Sequence, residues 1–127
     1  MTTAALGKAY REGDVILRQG DASDGMHVIQ QGEVEVLHRR EAREVRIATL
    51  AAQDFFGEIP FMERVRDPGV ARATIRALND VRVLTVDKKT IVRRIHEDPS
   101  LAYRMLETMS RRMRELEEDL IRLVITE

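Results

Sequence analysis

The run Phe55-Phe56-Gly57-Glu58-Ile59-Pro60-Phe61-Met62 gathers, in one short stretch, parts that can hold a sugar phosphate. The carboxylate of Glu58 can accept hydrogen bonds from a sugar hydroxyl, and the backbone at Gly57 and in a following helical turn can face an anion. After a loop the chain returns through Ala71-Arg72-Ala73-Thr74-Ile75-Arg76-Ala77, a strand-like segment. Phe56, Gly57, Glu58, Ile59, Arg72 and Thr74 are therefore the candidate ligand-binding residues. Strand parity qualifies one of them. Ala71, Ala73, Ile75 and Ala77 share one apolar face, and Arg72, Thr74 and Arg76 share the polar one. If the apolar face lines the interior, Arg72 points away from the pocket unless the strand bulges or ends early.

Other chemistries lack their parts. His27, His38 and His96 are scattered, without the HxH or HExxH spacing of a metal site. The chain has no cysteine, which excludes disulfides, Cys-ligated clusters and Cys-type zinc sites. No Gly-x-Ser-x-Gly, P-loop or nucleophile beside a base is present, so an enzyme is not expected.

Two regimes of periodicity must position the candidate site. From about residue 10 to residue 87, short alternating runs are separated by turn residues, the pattern of antiparallel strands. Strands are expected near Val15–Arg18, His27–Gln30, Val34–His38, Val45–Thr49, Ala71–Ala77 and Val81–Asp87. Gly13-Asp14, Gly20-Asp21, Asp24-Gly25 and Gln31-Gly32 supply the turns. From Lys88 the period becomes helical. Ile91, Val92 and Ile95 form one face of a short helix, stopped at Asp98-Pro99, where Asp98 caps and Pro99 opens a longer helix. The expected architecture is mainly β with α: one domain over residues 1–127, an antiparallel, jelly-roll-like β-roll at about 10–87 with a short helix after Glu58, and a helical arm at about 88–125.

Along the arm, Leu106, Met109, Met113, Leu116, Leu120 and Leu123 follow the alternating three-four spacing of a coiled-coil seam, the candidate dimer interface. Arg112 and Glu117 fall at flanking positions that attract in a parallel pair. The alternative is a stripe lying on the outer surface of the roll. Methionines in the seam give soft packing, compatible with a helix that shifts. The arginines of the arm, followed by its carboxylates, read as a solvated helix with ion pairs such as Arg111–Glu115 and Arg114–Glu118 rather than as a nucleic-acid patch.

The composition agrees with a soluble globular chain: 127 residues, 34% charged, 43% hydrophobic, formal net charge −1. That balance gives no general pull toward nucleic acid or acidic membrane. The N-terminal residues lack a signal-peptide pattern, and no run approaches the ~20 apolar residues of a membrane span. A cytoplasmic location is expected.

Four segments in order carry a family resemblance: Tyr10-Arg11-Glu12-Gly13-Asp14-Val15-Ile16, Arg18-Gln19-Gly20-Asp21, Val28-Ile29-Gln30-Gln31-Gly32-Glu33-Val34-Glu35-Val36 and Phe55-Phe56-Gly57-Glu58. Together they resemble the cyclic nucleotide-binding domain of catabolite activator proteins, kinase regulatory subunits and gated channels. The resemblance implies a β-roll with a phosphate-binding cassette and a C-terminal helix that closes over the ligand. It implies cAMP or cGMP as ligand, with Glu58 at the ribose-binding glutamate and Gly57 at the glycine beside it. Joined with the seam spacing of the arm, the expectation is a homodimer through the C-terminal helix whose position is read by a separate effector protein. DNA-binding relatives append a helix-turn-helix after this arm, so direct DNA binding is not expected here. Three departures stand out. Ala73-Thr74-Ile75 fits the tail of the family pattern, which puts Ala71 at the arginine position and Arg72 at the small residue. Pro60 lacks an N–H for an anion. The segment 63–70 is longer than usual and carries Arg64 and Arg66.

Overall fold

Alternation of apolar and polar residues builds two antiparallel sheets in the computed structural model, which describes residues 7–22, 25–57 and 70–125. The strands are β1 (Lys8–Tyr10), β2 (Val15–Leu17), β3 (Gly25–Gln31), β4 (Glu33–Arg40), β5 (Arg43–Ala51), β6 (Phe55–Phe56), β7 (Thr74–Ala77) and β8 (Val81–Asp87). One sheet has the order β1-β8-β3-β6 and the other β2-β7-β4-β5. The chain passes from the first to the second at Gly32, between β3 and β4. There the backbone takes φ +89°, and a Cβ would fall 2.2 Å from the Asp80 carbonyl oxygen, so only glycine fits.

The inward faces of both sheets meet in one core. Ile29, Phe56, Val81 and Val83 come from the first sheet, and Val34, Leu50, Ile75 and Ala77 from the second. Ile29 and Val34 are fully buried. Tyr10, Ile16, Leu17 and Val36 pack around them. This is the expected β-roll, and all six expected strands form. Two more, β1 and β6, escape the pattern because three and two residues are too few to alternate. They exist through their partners: β1 pairs Lys8–Tyr10 with Val83–Val81, and β6 pairs with His27 and Val28.

The returning strand is shorter than expected, starting at Thr74 rather than Ala71. The residues before it are held otherwise. The Ala71 N–H donates to the Asp21 carbonyl at 2.9 Å, and the Ala71 carbonyl accepts from the Gly20 N–H at 2.8 Å.

Residues through Lys88 form one compact unit and those from Lys89 a second. Two helices follow β8: α1 spans Lys88–Glu97 and α2 Ser100–Ile125. Asp98 separates them as expected: its carboxylate accepts from the Ser100 N–H at 3.1 Å, the capping bond of α2. The Ser100 bonds, joined by Arg104, hold the Asp98 carboxyl below its ordinary value. Of the two ion pairs expected on α2, Arg111–Glu115 forms at 4.0 Å. Arg114–Glu118 does not, and Arg122 instead meets Asp119 at 3.2 Å, one turn back. No helix among the described residues is long and apolar enough to cross a membrane. The short helix expected after Glu58 lies outside the described residues.

Candidate functional site

β6 ends at Phe56, whose ring is buried in the core and stacks on His27, with centroids 4.9 Å apart and planes at 21°. The His27 ring is in turn fixed through Nδ1, 2.8 Å from the Thr85 hydroxyl on β8. Gly57 follows in left-handed backbone, φ +80°. A Cβ there would come 2.9 Å from His27 Cδ2 and 3.3 Å from the Gly25 carbonyl oxygen. Glycine is therefore required twice, by backbone conformation and by the imidazole beside it. Glu58, Ile59, Pro60, Arg64 and Arg66 lie outside the described residues.

The returning segment belongs to the second sheet. Ala71 is only 4% exposed, while Arg72 is exposed. The Arg72 carbonyl accepts a hydrogen bond from His38 Nδ1 at 3.1 Å, which puts that imidazole proton on Nδ1. The Thr74 hydroxyl accepts the Gln19 N–H at 3.0 Å. Gln19 also uses its side chain like a strand residue. Its Oε1 accepts the Arg39 N–H at 2.8 Å and its Nε2 donates to the Arg39 carbonyl at 3.0 Å. The structure thus places Phe56 and Gly57 on the β3–β6 side of one sheet, Thr74 at the start of β7 in the other, and Arg72 two residues before that strand. It adds Gln19, His27, His38 and Thr85 as residues that hold these segments. Gln19 sits in one of the quoted family segments, whereas the contacts of the other three depend on long-range register that local pattern does not encode.

The polar face of the second sheet spends its cations internally. Glu35, 7% exposed, receives Arg76 Nε at 2.8 Å and Arg46 Nε at 3.0 Å. The Arg76 bond, aided by Arg46, holds the Glu35 carboxyl below its ordinary value in spite of burial. Arg76 lies opposite Glu35 across the strand pair and also comes within 3.9 Å of Glu44. Its guanidinium is therefore committed to the sheet. Among the described residues no cluster of three or more His, Asp or Glu side chains could hold a metal ion.

A β-roll carrying Gly57 against β3 is the frame on which the comparison with known proteins turns. The description "cyclic nucleotide-binding domain" matches residues 7–98, more than half of the chain. The chain belongs to the cyclic nucleotide-binding domain family. The domain is 24% identical over 119 residues to a CRP-like cAMP-activated global transcriptional regulator of Mycobacterium tuberculosis, covering 93% of this chain and 51% of that protein. It is 39% identical over 59 residues to a cAMP-dependent protein kinase type II regulatory subunit of Drosophila melanogaster, 46% of this chain and 16% of that one. Among solved structures it superposes on the Thermus thermophilus catabolite activator protein with a TM-score of 0.71 at 24% identity, over 92% of this chain and 54% of that chain. The domain therefore spans about half the length of the regulator and far less of the kinase subunit. These relatives are regulators and regulatory subunits by name, and the fold is the one they share.

Along α2, Leu106, Met113, Leu116, Leu120 and Leu123 are each more than half exposed, and Met109 is half-buried. Ile121, Val124 and Ile125 extend the exposed apolar surface. The one buried side chain of this helix among the described residues is Met105.

Proposed function

We propose that this domain is a small-molecule sensor that binds a cyclic nucleotide, cAMP or cGMP, or a related small anion at Phe56–Ile59, with Arg72 and Thr74 on the returning segment. Occupancy changes the position of the C-terminal helix, which pairs with that of a second copy and is read by a separate effector protein. The observation that carries the reading is the left-handed turn at Gly57, locked against His27, at the residue that precedes Glu58 in the sequence. Family membership over residues 7–98 supports it, as does the exposed apolar seam of α2. Glu58 is the acceptor for the ribose hydroxyls in this reading. Calorimetric titration of the chain with cAMP and with cGMP tests it: saturable heat with either is expected, and silence with both at millimolar concentration defeats the nucleotide reading.

A second reading is favoured by Ala71, a buried methyl where the family pattern carries an arginine. A bidentate Arg–phosphate contact contributes roughly 1.5–3 kcal/mol. Its loss weakens binding by roughly ten- to a few-hundred-fold. On this reading the roll is a dimerisation or protein-interaction module that no longer binds cAMP or cGMP. Thermal melting separates the two, because a ligand that binds only the native state raises the midpoint. Ala71→Arg is expected to strengthen nucleotide binding by roughly tenfold or more. An unchanged affinity in this variant would show that Ala71 does not face the ligand.

A further inference from the structure

The second sheet ends at β5, and among the described residues no strand lies beyond it. Alternate N–H and C=O groups of an edge strand point outward without ladder partners. β5 is long for an edge strand, and it exposes Val45 by 52% and Ile47 by 48%. The ladder with β4 is regular from Arg43 to Arg46. It then slips at Ile47, which is the extra residue between the pairs Leu37–Arg46 and Val36–Ala48. The usable edge therefore runs from the β4–β5 turn to that bulge.

Charge at this edge is one-sided. Arg39, Arg40 and Arg43 are exposed, and Arg40 and Arg43 are direct cross-strand partners. Like charges placed opposite one another destabilise a strand pair. Arg18 joins them, because the adjacent Gln19 is bound to the Arg39 peptide through its carboxamide. None of these four arginines meets a carboxylate at ion-pair distance among the described residues, although Arg46 and Arg76 of the same sheet are both taken by Glu35. The acids nearest the tip are Glu41 in the turn and Glu44, which lies opposite Arg39 and reaches toward Arg76. On the other face of the hairpin, Arg40 and Arg43 oppose one another with no carboxylate at ion-pair distance among the described residues.

We propose that the β5 edge from Arg43 to Ile47 is a docking site for an acidic, extended peptide segment of another protein. The segment adds as a strand, taking main-chain hydrogen bonds from β5. Its carboxylates face the Arg40–Arg43 pair, and further along the same face its apolar residues cover Val45 and reach Ile47. A second copy of β5 is the poorer occupant, since from Arg43 to Ile47 it brings a single carboxylate alongside arginines of its own. Single-stranded nucleic acid fits the charge but not the rest. It has no peptide groups to continue the ladder, and no aromatic residue occurs between Arg39 and Arg46 for bases to stack on.

Fluorescence anisotropy on the whole chain tests this with three labelled probes. They are the heptapeptide Glu-Thr-Glu-Thr-Val-Thr-Val, which sets glutamates and valines in sequence along one strand face, the same peptide with alternate backbone nitrogens methylated, and a short oligothymidylate. The acidic heptapeptide is expected to bind, and more weakly as salt rises. Binding should fall roughly tenfold or more in Arg40→Glu/Arg43→Glu and by a similar factor on backbone methylation. The exposed position of both arginines leaves folding intact, and the methylated probe needs no variant at all. No binding of the heptapeptide at millimolar concentration overturns the proposal. So does equal binding of the methylated probe, which would mean charge without strand addition. Oligothymidylate binding at equal or greater strength also overturns it and makes the patch a nucleic-acid surface.

Discussion

A glycine and a glutamate show how much one side chain can depend on its neighbours. At Gly57 the left-handed backbone alone costs an L-residue about 1–2 kcal/mol, and the imidazole of His27 adds a steric obstacle. Gly57→Ala should therefore destabilise the roll by somewhat more than that backbone cost. In a His27→Ala background the same substitution should cost less, and a double-mutant cycle by chemical denaturation measures the difference. The type of residue at 57 is legible in the sequence, but its second reason is not, because His27 is brought there by the β3–β6 register. Glu35 reads in sequence as an ordinary polar position of a strand. It is buried because Arg76, opposite on β7, and Arg46 close over it. Since its folded pKa lies below the unfolded value of about 4.5, the unfolded chain binds the extra proton. The stabilisation is fully present above pH 4.5 and is lost as the pH falls through the depressed folded value. Glu35→Gln should lower stability by about 1–2 kcal/mol at neutral pH, since both arginines are partly exposed. It should also flatten this part of the acid limb, as read by melting temperature against pH.

At the scale of elements, the helices are the more legible part. Asp98-Pro99 marks the boundary between α1 and α2, and the freedom of the following residues from glycine and proline gives α2 its 26 residues. Its exposed seam carries a prediction: Met113→Glu with Leu116→Glu should convert a dimer to monomers in sedimentation velocity. A persistent dimer would place the interface elsewhere. The strands are legible where alternation lasts four residues or more, as in β4 and β8, and illegible in β1 and β6, whose existence is decided by distant partners. The segment 71–77 alternates as if it were all strand. Its first three residues leave the ladder because Gly20 and Asp21 have already taken the backbone of Ala71. Composition and period describe side chains, and here the competition is between peptide groups. For the candidate site the result is mixed. The chemistry of Gly57 and Glu58 is readable from type and spacing, while Gln19 and His38 act through bonds to residues about twenty and thirty-four positions away.

The roll is two sheets whose inner faces share one core, and the chain crosses between them several times, once at Gly32 between β3 and β4. The two side chains with least exposure, Ile29 and Val34, flank that crossing. Short connections such as this one and that between β7 and β8 enclose only a handful of residues, whereas pairing β1 with β8 or β2 with β7 encloses about half of the chain or more. Closures of this kind cost the least chain entropy, and the one flanked by Ile29 and Val34 is the expected nucleus. Val34→Ala should accordingly retard refolding in stopped-flow experiments more than it hastens unfolding, and the opposite partition would assign the nucleus to the long-range strands. A hairpin-sized turn, set by a residue that has no side chain, thereby helps to pace the birth of the strands around it.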